Sequence, residues 1–232
     1  MKLQFHSVPL TLPLLICSGL CQATNARPSD APALEHRPML TAKEVIDNLV
    51  RRNLERAQAM GAYQATRVYR LEYHGFLGSR RAEMAVDVKY QSPGTKEFTI
   101  RSEIGSKLLI EKVFRKLLWS EKEALTEENK RFSALNNDNY LFTLLDHESK
   151  VGDSLYVLSV EPRTKKNFLY RGRIWVDVQD FAVVRVEGEP VKTPSFWMKD
   201  TKVEQVYAKV GNFWLPASNH STTTIRLGGT PI

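Results

Sequence analysis

Beyond Leu40 the apolar positions of this chain change period three times, and each change marks an element. Val45, Ile46, Leu49, Val50, Leu54 and Ala57 recur at helical spacing. Thr41 with Glu44 forms a capping box ahead of them, Leu40 with Val45 a hydrophobic staple, and Gly61 is a natural stop. From Ala62 the period falls to two. Tyr63, Ala65, Tyr69, Leu71 and Tyr73 share one side of a strand, and Ala82, Met84, Val86, Val88 and Tyr90 share one side of the next. The glycine-bearing turn His74–Ser79 joins the two as a hairpin. A third strand, Lys96–Glu103, keeps Phe98 and Ile100 together.

Gly105–Lys122 returns to helical spacing. Leu109, Ile110, Val113, Phe114, Leu117 and Leu118 cover about half the wheel, wider than a surface helix requires, with Lys107, Lys112, Arg115 and Lys116 on the rest. After the polar stretch Thr126–Asn139 come Tyr140–Leu145, Leu155–Val160, Phe168–Asp177, Phe181–Gly188, Met198–Lys209 and Trp214–Thr224, with a short last strand in Ile225–Ile232. About ten strands at hairpin spacing, with two helices and no crossover signal, predict a mainly β (α+β) fold built on one antiparallel meander. The broad apolar face of the second helix favours a curved sheet with helices plugging its concave side over a closed barrel.

The N-terminal pattern is different. Lys2 precedes an apolar run from Val8 to Leu20, about half a membrane span, and Ala23 and Ala26 offer cleavage points. Pro9 and Pro13 argue against a core helix there. Residues 1–26 therefore read as a cleaved secretory signal, 27–39, with Pro28, Pro32 and Pro38, as a flexible leader, and 40–232 as a single domain. Cys17 and Cys21 both fall in the signal, and neither has the small preceding residue that lipid attachment favours. The mature chain is then free of cysteine and stands in an oxidising compartment without disulfides. Of the formal charge of +7 it keeps +6, once Lys2 is gone. Basic and acidic residues alternate along the chain, which argues against nucleic acid and leaves a mild attraction to anionic lipid.

Motifs for covalent or metal chemistry are missing. There is no G-x-S-x-G, H-E-x-x-H, P-loop or G-x-G-x-x-G, and His36, His74, His147 and His220 lie far apart. Asn136–Asn139 reads as a turn, because it lacks the spaced ligands of a calcium loop. No enzyme, cofactor or metal is expected. Arg67 stands out because it shares parity with Tyr63, Ala65, Tyr69 and Leu71 and so points to the apolar side of its strand. A buried guanidinium needs acceptors, either loop carbonyls at the rim or a polar latch or ligand head group inside a cavity.

The order of these elements resembles the LolA-like superfamily of lipoprotein-sorting proteins over about residues 41–227. The words that carry the resemblance are Tyr170–Asp177 (YRGRIWVD), Phe181–Gly188 (FAVVRVEG), Phe196–Trp197 and Gly211–Pro216. It implies an incomplete antiparallel barrel whose concave side accepts acyl chains under helices. It also implies a monomeric periplasmic carrier that takes lipoproteins from an inner-membrane release complex to an outer-membrane acceptor. Tyr63, Arg67, Tyr69, Met84, Val86, Phe98, Ile100, Leu109, Val113 and Leu117 would line the cavity, with Arg67 holding the lid closed. The same superfamily includes RseB-type sensors that bind a membrane-anchored partner, usually through a chain with a second domain, and this is the alternative.

Overall fold

The computed structural model describes residues 2–10, 40–75, 78–92, 94–150, 153–192 and 198–225. The two cleavage points, the leader, Ser195–Trp197 and residues 226–232 of the expected last strand lie outside them. The first helix, α1 (Ala42–Ala59), starts where its capping box places it: Glu44 N donates to Thr41 Oγ1, and Thr41 N donates to the Glu44 carboxylate at 2.8 Å. Its apolar stripe buries Val45, Ile46 and Leu49 completely, whereas Val50 and Leu54 stay exposed.

The strands are β2 (Ala62–Gly75), β3 (Gly78–Gln91), β4 (Thr95–Gly105), β5 (Tyr140–Lys150), β6 (Asp153–Pro162), β7 (Tyr170–Asp177), β8 (Val183–Pro190), β9 (Met198–Val210) and β10 (Phe213–Ile225). All neighbours are antiparallel, in two blocks, β4–β3–β2 and β10–β9–β8–β7–β6–β5. A further strand, β1 (Lys2–Leu10), pairs with both β2 and β10 and joins the blocks. It falls inside the segment read as an export signal, and only its last residues, Val8–Leu10, belong to the apolar run of that segment. Among the described residues β4 and β5 are the outer strands and do not pair with each other, so the sheet is open.

Between β4 and β5 the chain is helical: α2 (Lys107–Leu109), a π-helical turn (Ile110–Phe114), α3 (Arg115–Ala124) and α4 (Glu127–Ser133). The first three form one continuous run over 107–124. Gly105 precedes it at φ +94, where a Cβ would lie 2.3 Å from the Arg81 carbonyl oxygen. Only glycine lets the chain leave β4 so close to β3. The helix α4 lies in the polar stretch Thr126–Asn139, for which the sequence pattern assigns no helix. It buries nothing and is held by its cap, with Asn129 N donating to Thr126 Oγ1, and by acidic residues first and basic residues last.

Two apolar clusters result. In the first, Leu109, Ile110, Phe114 and Leu118 of the 107–124 run pack on Tyr69, Leu71, Ala82, Met84, Val86 and Val88 of β2 and β3. In the second, Val45, Ile46 and Leu49 of α1 pack on Tyr140, Leu158, Ile174 and Val176 of the long block. Both helices therefore cover the same, inward-facing side of the strands.

Candidate functional site

Alternation in β2 turns Arg67 inward beside Tyr69, as its parity requires. There it meets the helix. Arg67 Nη1 donates to both carboxylate oxygens of Glu121 on α3, each at 2.9 Å. Lys96, inward-facing at the start of β4 with the parity of Phe98 and Ile100, donates from Nζ to Glu121 Oε1 at 2.7 Å. The three side chains keep only 16%, 15% and 27% of their exposure for Arg67, Lys96 and Glu121, so the trio is largely withdrawn from water.

Burial works against both kinds of charge here, and the opposite charge wins in each case. It disfavours the Arg67 cation, yet Glu121 and Tyr69 raise the guanidinium pKa. It likewise disfavours the Glu121 carboxylate, yet Arg67 and Lys96 hold its pKa below the ordinary value. Burial pushes the Tyr69 hydroxyl up, with Arg67 opposing.

The trio borders a cavity of about 420 Å³, in the size range of small-ligand sites. Leu117, Ser120, Glu121 and Ala124 of α3 form one wall, Arg67, Tyr69 and Lys96 a second. Gln205, Pro216 and Asn219 of β9 and β10, with Phe168 ahead of β7, supply the rest. Phe168 sits at φ +65, which a bulky side chain rarely adopts and which costs on the order of 1–3 kcal/mol. A larger hollow of about 660 Å³ lies over Gly172 and Gly188 on the other side of the sheet. Arg171, Arg173, Glu187, Glu189 and Glu204 line it and pair across β7, β8 and β9, so it is a groove on a solvated charge ladder.

Of the ten residues read from the sequence, Arg67, Tyr69 and Leu117 meet at this cavity. Met84, Val86 and Leu109 are used up in the core beneath the helix, with Phe98, Ile100 and Val113 packed against it. Tyr63 stacks on Tyr90 at 5.2 Å and borders a separate hollow near the β2–β3 end. The cavity wall is accordingly more polar than an apolar lining would make it. Lys96, Glu121, Ser120, Gln205 and Asn219 were not picked out from the sequence. Lys96 carried a usable signal, since it shares parity with Phe98. No signal tied Glu121, 54 residues away on a polar arc, to Arg67.

The arrangement is an open antiparallel sheet with helices on one face and a charged, half-open site between α3 and the sheet. No family model and no curated protein matches the sequence. Solved structures do. A LolA superfamily protein from Nitrosomonas europaea is 11% identical, with 83% of this chain and 96% of that one covered and a TM-score of 0.33. A putative outer membrane lipoprotein-sorting protein domain from Vibrio parahaemolyticus is 13% identical, with 78% and 90% covered and a TM-score of 0.33. A chain of the Pseudomonas aeruginosa MucA/MucB complex is 10% identical, with 78% and 92% covered and a TM-score of 0.32. At TM-scores near 0.3 that likeness transfers no residue role and no activity.

Proposed function

We propose that this protein is a periplasmic carrier that holds acyl chains of lipoproteins, or of another lipid, beneath the helical run 107–124, with no covalent chemistry. One observation carries the reading: α3 is tied across a cavity to the opposite wall by the Arg67–Glu121–Lys96 trio. The two ends of the run are anchored unequally. Leu109, Ile110 and Phe114 are buried in its first half, each worth about 1.5–3 kcal/mol. In α3 only Leu118 is buried, while Leu117 is 40% and Trp119 67% exposed. The π-turn between the halves is a rare feature that, where it occurs, is often found at functional sites, and it gives a joint about which 115–124 swings. Opening then breaks the trio and widens access of a ligand to Leu117 and the cavity.

Residues 1–26 direct export and are removed in this account, which takes β1 out from between β2 and β10; lipoprotein transfer between the two membranes is the cellular setting. No helix among the described residues is long and apolar enough to cross a membrane. The test is displacement of a fluorescent fatty-acyl probe from the exported protein. Saturable binding that weakens on Leu117→Ala supports the carrier. A protein that binds no acyl probe and instead co-purifies with a membrane-anchored protein is the sensor of the alternative reading.

A further inference from the structure

The charges around the cavity do not balance. Among its lining residues Arg67 and Lys96 are cationic and Glu121 is the anion, so the wall carries a net charge of +1. An ion pair that merely fastened α3 to the sheet would need one cation. A second, largely buried, adds a desolvation cost without adding a partner carboxylate. Both cations reach the same oxygen, at 2.9 and 2.7 Å, which puts their nitrogens no more than 5.6 Å apart. They are carried by β2 and β4, held in the sheet on either side of β3, whereas their shared anion rides on α3. Opening of α3 would withdraw Glu121 and leave two converging cations on a fixed wall. Ser120, Gln205 and Asn219 place neutral hydrogen-bonding groups around the same space.

We propose that Arg67 and Lys96 form an anion subsite that Glu121 fills in the closed state and that the head of an acyl ligand fills in the loaded one. The ligand class is an acyl chain ending in a carboxylate or a phosphate, both of which accept paired charge-assisted hydrogen bonds from such cations. Glu121 is then an internal competitor: it satisfies the two cations when the cavity is empty and yields them to the head group. This rests on the reading of α3 as a movable cover, and the probes below separate the two claims.

The experiment measures affinities of the exported protein for palmitic acid, hexadecyl phosphate and hexadecanol, with acetate and inorganic phosphate as chainless controls. The expected result is that one or both anionic probes bind at least about tenfold tighter than the alcohol. Glu121→Gln should tighten the anionic probes by more than the alcohol, which gains only from the opened cover. Lys96→Gln keeps the Arg67–Glu121 pair, so folding is preserved, and should erode the anionic preference. Which anionic probe wins identifies the head group. Equal binding of all three chains would overturn the anion subsite and leave the cavity standing. Binding of none would remove the acyl reading itself and this proposal with it. Chainless anions that compete as well as the lipids would make the site an anion pocket and overturn the lipid source, and a preference untouched by Lys96→Gln would overturn the residue assignment.

Discussion

Replacing Glu121 by glutamine keeps the shape of the side chain and removes the charge at the centre of the trio. Arg67 and Lys96 are then left within 5.6 Å of each other without their shared carboxylate. Two unit charges at that separation repel by about 3 kcal/mol at an effective dielectric constant near 20. Exposures of 15–27% let water offset part of this, so about 2 kcal/mol is a working value for the cost to the closed state. Because α3 buries Leu118 alone and its other ties to β4, Arg115 to Glu103 and Lys122 over Phe98, are individually weak, it relieves the repulsion by opening and leaves the sheet folded. Hydrogen exchange read by mass spectrometry should show protection across 115–124 falling about thirtyfold, the equivalent of that energy. Amides of β2 and β3 should keep most of theirs. Equal loss in α3, β2 and β3 would make the trio a structural tie of the whole domain and refute the hinged cover. So would no loss anywhere.

The remaining expectations follow from the same geometry. Glu121 has a depressed folded pKa, so its contribution to closure is fully present above the ordinary carboxylate value and is lost as pH falls through the lower folded one. Protection of 115–124 should be flat from neutrality down to about pH 4.3 and decline only below it; a decline centred above that value would contradict the assigned charges. Phe114→Ala, which empties a fully buried site, should cost about 3–5 kcal/mol in a denaturant titration, whereas Leu117→Ala, on the cavity wall, should cost under about 1 kcal/mol and act on probe affinity. Reversal of that ranking would return Leu117 to the core. Intact mass of the exported chain should lack residues up to Ala23 or Ala26; retention of Lys2–Leu10 would instead make β1 a permanent strand.

What the sequence discloses depends on how local the cause is. The Thr41–Glu44 box lies within one turn and reads directly. Arg67 is legible because strand alternation leaves it no outward choice. The set Leu109, Ile110, Val113, Phe114, Leu117 and Leu118 identifies a helix, but it fits a regular wheel and a π-turn equally, so the joint at 110–114 is hidden. Glu121 is hidden for another reason: its partner comes from a different element, and a carboxylate on a polar arc reads as solvated. The helix α4 is readable from Thr126 at its cap, Glu127 and Glu128 in its first turn and Lys130 and Arg131 in its last, but without an apolar stripe periodicity gives it no weight. Phe168 at positive φ could not be anticipated, because nothing about a phenylalanine favours that conformation.

The account turns on the cavity holding an acyl chain, and a mass spectrum under non-denaturing conditions, on protein isolated from its native envelope, tests that most directly. The predicted spectrum contains a second species, heavier by one acyl-bearing molecule, that reverts to the bare protein on activation and is depleted in Leu117→Ala. A spectrum of bare protein alone, or of protein bound only to a polypeptide without an acyl group, would contradict it.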